Sequence, residues 1–277
     1  MFAQKPCLMS KPLKFLAFDT STDRLSVAVT DGARVWQQSS PGGAQASTTL
    51  IPAILRLLAE SGIALGDMEA IVFGRGPGSF SGLRTACAVA QGLAFGANHG
   101  AGIAVLPVDT LMAVAEEARF QQYGATGDGD APLAVMALLD ARMDEMYVQS
   151  YEFKSGSCSS VKGCELIRPE NLVPGGSARL LAGNVFGVYA GRLPAGLAGL
   201  ACVEAYPTAA ALLRLAPALA AAGQCIDAAQ ALPLYVRDKV AQTTDERART
   251  KADAQFARAG QAGAPVIGLE TNRYPPS

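Results

Sequence analysis

The chain has 277 residues, 50% of them hydrophobic and 17% charged, with 23 basic against 24 acidic side chains and a net charge of -1. That composition excludes a disordered or coiled-coil protein, and the near-neutral balance gives no overall attraction for nucleic acid phosphates or anionic lipid. A single histidine, His99, excludes histidine-rich metal sites and leaves one candidate for any Ser-His-Asp triad; it lies in a glycine-rich turn and reads as a solvated turn residue.

Residues 1–12 read as a loose extension. The apolar run over 15–18 is stopped by Asp19, too early for a signal-peptide core, so no export is expected. Strands follow over 15–19, 25–30 and 33–38, with Asp31-Gly32 as a hairpin signal. After Gly42 and Gly43, the residues Leu50, Ile51, Ile54, Leu55, Leu57 and Leu58 cover about 160° of a helix. A strand over 70–73, a helix over 81–97 and a strand over 103–106 complete an expected mixed sheet with helices packed on it.

The opening motif then recurs. Residues 18–27 and 139–148 align at constant offset, matching Asp19 to Asp140, Asp23 to Asp144 and Val27 to Val148. This predicts two lobes of related architecture, over 13–108 and 109–242. The second contains a strand over 147–153, a Gly/Ser-rich turn over 155–160, a strand over 180–182 and a helix over 207–222. Arg214 and Pro217 interrupt that last helix, which falls short of the roughly 20 apolar residues that cross a bilayer. Residues 243–277 read as a tail, helical over 243–259. Six cysteines without a C-x-x-C pair point to a reducing cytoplasm.

Chemistry concentrates in the run from Gly74 to Arg84, between a strand and a helix. Glycines there let backbone N–H groups approach an anion at a helix start, although no Walker lysine follows; the alternative is a tight turn capped by Ser79 or Ser81. The Asp19-Thr20-Ser21-Thr22 turn resembles the phosphate loop of two-lobed actin and sugar kinases, in which an aspartate, a glycine and a hydroxyl hold magnesium and phosphates. Ser21 stands at the glycine position, and its Cβ would crowd a phosphate. Asp19, Ser21, Gly76, Gly78 and Ser79 are therefore the candidates for a vestigial phosphate site.

In the helix over 81–97 the one charged residue is Arg84, and Gly82, Ala86, Ala90 and Ala94 form a ridge of small residues at spacing four. Such a ridge admits a close neighbour. Together with Leu50 and Ile54 it is the candidate partner interface, the alternative being burial within the chain. Asp140, Asp144 and Glu145 cluster near the expected cleft, where pairing with Arg142 is favoured over acid–base work. Residues 235–239 add an aromatic and charged patch.

The motifs over 18–22, 76–84, 140–142 and 233–237 together resemble the TsaB (YeaZ) family, in matching order. The resemblance implies a two-lobed actin-like ATPase fold, a ribonuclease H-like duplication of mixed sheets flanked by helices. It also implies a non-catalytic assembly and dimerisation subunit. This would support the catalytic paralogue TsaD in forming N6-threonylcarbamoyladenosine next to the anticodon of tRNAs that read codons starting with A. Implied partners are TsaD, the ATPase TsaE and a second copy when alone, with tRNA met through the complex and no membrane. No catalytic residue, metal ligand or intrinsic cofactor is implied, with ATP, ADP and magnesium belonging to the complex. Many family members have His-Ser where this chain has Ala46-Ser47. The other reading is an ATPase or small-molecule kinase working in the interlobe cleft through Asp19, Gly76, Gly78 and Asp140. A peptidase would need a nucleophile or metal that the sequence does not supply.

Overall fold

Alternation of large apolar side chains along the first strands sets the architecture. The computed structural model describes residues 12–125, 131–175, 178–197 and 199–237, without the side chain of His99. The rest of the amino-terminal extension and the tail, with its expected helix over 243–259, lie outside the described residues. Strands β1 (Phe15–Asp19), β2 (Arg24–Thr30) and β3 (Val35–Pro41) form an antiparallel meander, with Phe18 opposite Val27 and Val27 opposite Gln38. Then come α1 (Ala46–Ser61), β4 (Ala70–Gly76), α2 (Phe80–Gly96) and β5 (Ala104–Asp109). Both later strands run parallel to β1, so the sheet order is β3-β2-β1-β4-β5.

Helix α3 (Thr110–Tyr123) leads into β6 (Leu133–Arg142), β7 (Glu145–Lys154), β8 (Ser157–Ser160), β9 (Glu165–Ile167) and β10 (Leu180–Gly183). A short α4 (Val185–Val188), β11 (Ala201–Glu204) and α5 (Ala209–Ala221) follow. The second sheet has order β11-β10-β6-β7-β8, with β9 also on β7. It repeats the first: an antiparallel meander extended by two parallel strands. The expected duplication of mixed sheets flanked by helices is the observed fold.

Successive strand residues face opposite sides. Leu16, Phe18, Val27 and Phe73 pack under α1 and α2, whereas Phe15, Ala17, Val72 and Leu106 pack under α5. Each fully buried Phe contributes roughly 2–3 kcal/mol. Helix α3 lies on the second sheet through Leu111, Val114, Ala115 and Ala118, and Ala113 reaches the core under α5. At the α3–α5 seam Glu116, 3% exposed, accepts from Arg119 Nε at 2.7 Å and from Arg214 Nε at 2.7 Å. Arg214 and the Thr208 hydroxyl both donate to Glu117, each at 2.7 Å.

Two local expectations are corrected. The Gly/Ser-rich stretch over 155–160 is a turn only at Ser155 and Gly156, both with positive φ; Ser157–Ser160 pair with β7 as a strand. Helix α3 is not among the expected elements, because a helix sandwiched between a sheet and another helix has no wide polar face to mark its period. Residues through Val236 form one compact unit; Arg237 begins another, whose remaining residues are outside the description. No helix among the described residues is long and apolar enough to cross a membrane.

Candidate functional site

Strand β1 ends at Asp19, and the turn to β2 folds back over it. Asp19 is fully buried; Oδ1 accepts from the Ser21 amide at 2.8 Å and the Ser21 hydroxyl at 2.6 Å. Its Oδ2 has no hydrogen-bond partner among the described residues. It rests against Gly74 so closely that a Cβ there would lie 1.8 Å away. Burial pushes the Asp19 carboxyl up to about 6, against the opposing pull of the two Ser21 hydrogen bonds.

The glycine loop closes on the same turn. Ser79 N–H donates to the Ser21 carbonyl at 2.7 Å, and a Cβ at Gly78 would meet that carbonyl oxygen at 2.5 Å. The Thr20 hydroxyl donates to the Gly82 carbonyl at 2.8 Å, and a Cβ at Gly82 would fall 1.9 Å from the Thr20 backbone carbonyl oxygen. Gly76, at φ +125°, faces the Leu234 carbonyl, 2.5 Å from where its Cβ would be. Leu234 N–H in turn donates to the Arg75 carbonyl at 2.7 Å. The structure thus brings Asp19, Ser21, Gly78 and Ser79 together, with Gly76 against the strap over 231–236. Ser79 begins α2 without a side-chain cap, its hydroxyl exposed and 3.4 Å from that of Ser81.

An actin-like fold implies nucleotide and magnesium between these two loops, and the residues present do not fit them. Asp19 is turned inward onto Gly74, the Ser79 amide is engaged by Ser21, and backbone fills the space that the bare Gly76 and Gly78 leave. The glycines let one backbone lie against another. The motif over 233–237 includes Leu234, but its contact with the glycine loop is not readable from sequence: Gly76 announces a close approach but not its source.

The second copy of the motif is pinned differently. Asp140 accepts from the Tyr189 hydroxyl at 2.7 Å and from the Arg142 amide at 2.9 Å, and pairs with the Arg142 guanidinium at 3.1 Å, the pairing favoured from sequence. Burial, then the bond to Asp140, raises the Tyr189 phenol above its usual range. Arg142, Met143 and Asp144 all have positive φ, a strained turn held at Asp144 by Arg192 at 2.6 Å. Asp144 and Glu145 are thus not gathered with Asp140 into an open carboxylate pair. The patch at Tyr235 stacks on Phe80, ring centres 5.1 Å apart, and its hydroxyl accepts from Arg84 Nε at 3.1 Å.

The candidate partner interface needs correcting. Leu50, Ile54, Gly82, Ala86, Ala90 and Ala94 are all buried within the chain. The small-residue ridge lets α2 settle onto β4 and the Thr20 turn, so these side chains meet the chain's own core. Ala46 is buried in that core as well. The outward faces carry other residues: Ile51 (44% exposed) and Leu55 (57%) on α1, and Ala88, Gly92 and Phe95 (54%) on α2. A Cβ at Gly92 would meet nothing within 4 Å.

Comparison with known proteins adds three findings. A family model described as TsaD, tRNA N6-adenosine threonylcarbamoyltransferase, matches residues 41–266, beyond the point at residue 242 where the motif resemblance ends. The tRNA threonylcarbamoyladenosine biosynthesis protein TsaB of Haemophilus influenzae is 38% identical over 135 residues, 49% of this chain and 52% of the relative. That of Escherichia coli is 36% identical over 140 residues, 50% of this chain and 55% of the relative. The chain therefore spans about half the length of the curated relatives it matches. The solved structure of YeaZ from Pseudomonas aeruginosa is 36% identical, with a TM-score of 0.70, covering 81% of this chain and 100% of that one.

Proposed function

The chain belongs to the TsaB (YeaZ) family, within the wider group of TsaD-type threonylcarbamoyltransferase domains, and from that premise we propose that it is a docking subunit without a reacting group of its own. In this reading it supports a TsaD paralogue in forming N6-threonylcarbamoyladenosine on tRNA, in the cytoplasm, with the ATPase TsaE joining them and nucleotide and magnesium held by the assembled complex. The observation that carries it is the closure of the glycine loop onto Ser21, with the chain's own backbone where a phosphate cradle would be. The duplicated fold is kept as a body that presents helices, and the outward rows of α1 and α2 meet the paralogue or, when the chain is alone, a second copy.

Co-purification with the paralogue tests this. Gly92→Arg and Leu55→Glu place a charge on the proposed face without touching the core, and an unpaired charge buried at a contact is strongly disfavoured. Both variants should fold as wild type and bind the paralogue at least about tenfold more weakly. Unchanged binding by both, or steady ATP turnover by the isolated chain, would overturn the reading.

A further inference from the structure

Along β5, the edge strand of the first sheet, lies a cavity of about 220 Å³ walled by Val108, Met112, Leu219 and Ile226, with Arg75, Asp109 and Gln224 as its polar groups. Arg75 Nε donates to Asp109 Oδ1 at 2.6 Å, which fixes the plane of the guanidinium. The terminal nitrogens of Arg75 have no hydrogen-bond partner among the described residues, so the rest of the planar fork, the part that matches a carboxylate, is available. A second observation concerns the same ion pair. The hydroxyls of Thr110, next to Asp109, and of Tyr151, neither of them in the cavity wall, are buried without a hydrogen-bond partner among the described residues, and the Tyr151 phenol is raised first by burial and then by the Asp109 charge, with Arg75 opposing. The unengaged N–H groups of Arg75 can only donate, which favours an anion over a cation as the cavity's partner.

We propose that this cavity binds a small organic carboxylate, its oxygens on the free edge of the Arg75 guanidinium and its short apolar chain against Val108, Met112, Leu219 and Ile226. The volume equals roughly seven waters at about 30 Å³ each, enough for butyrate and too small for a nucleotide. Asp109 already neutralises part of the Arg75 charge, so binding in the millimolar range is expected. The site lies apart from the outward faces of α1 and α2 and does not depend on their role.

The test is an NMR titration of the methyl-labelled full chain with sodium butyrate and with the neutral isostere butyramide. Butyrate should give saturable shifts at the Met112, Leu219 and Ile226 methyls, and butyramide should bind at least about fivefold more weakly. Arg75→Gln should weaken butyrate similarly, and Leu219→Phe, which fills the cavity, should abolish the response. Equal response to butyramide, undiminished butyrate binding in either variant, or no saturable shift at all would overturn the proposal and leave a cavity that holds water only.

Discussion

Replacing Asp19 by asparagine separates a buried carboxyl without a ligand from one that serves a cation. The carboxyl rises from an ordinary 3.8 to about 6 in the folded chain, chiefly through burial. Between these two values the folded chain keeps a proton that the unfolded chain has released, so stability falls as pH rises through the window. The loss is absent below about pH 4, complete above about pH 6 and on the order of 3 kcal/mol. The asparagine side chain would keep an acceptor for the Ser21 amide and hydroxyl but cannot ionise. Any constant offset from packing its amide cancels when the difference between Asp19→Asn and wild type is followed with pH. That difference should shift in favour of the variant by about 3 kcal/mol from pH 4 to pH 7.5. Urea unfolding read by the single tryptophan, Trp36, which packs on the core beneath α1, measures it. A difference that stays constant with pH to within about 0.5 kcal/mol would refute the reasoning, because the carboxylate would then have to be ionised and partnered when folded.

Gly82→Ala pushes a methyl to within 1.9 Å of the Thr20 backbone carbonyl oxygen, and it should cost about 3 kcal/mol and lower the melting temperature by roughly 6–9 °C, read by calorimetry. Arg214→Met leaves Glu117 without its guanidinium at the α3–α5 seam while Arg119 still serves Glu116; a loss of about 3 kcal/mol is expected in urea unfolding, and a neutral result would remove the seam's role in joining the sheets. Ala90→Arg, in the buried ridge, should be insoluble or lose more than about 4 kcal/mol, whereas Gly92→Arg on the open side of the same helix should be as stable as wild type or gain up to about 1 kcal/mol in helix propensity.

The first sheet was legible because its strands alternate on period two and its hairpin carries Asp31-Gly32, and the duplication because Asp19 and Asp140 lie at the ends of the first strands of matching strand–turn–strand units. What was not legible depends on long-range contact. The ridge from Gly82 to Ala94 announces close packing but does not name the neighbour: here it is the chain's own sheet, and the outward row with Gly92 and Phe95 has no periodic apolar signal of its own. The glycine loop has the composition of a phosphate cradle, yet Ser21 and Leu234, distant in sequence, bring their backbones against it. Helix α3 escaped notice because burial on two sides erases amphipathic contrast, and β8 because four small polar residues look like a turn until β7 is there to pair with them.

A docking subunit without chemistry of its own should leave the modification step intact when the Asp19 carboxyl, buried with one oxygen unpartnered among the described residues, is neutralised. Formation of N6-threonylcarbamoyladenosine by the reconstituted complex carrying Asp19→Asn in this chain measures that directly. A rate within about twofold of wild type is predicted; a loss of about a hundredfold or more, with paralogue binding and fold unchanged, would assign Asp19 a part in the reaction and contradict the account.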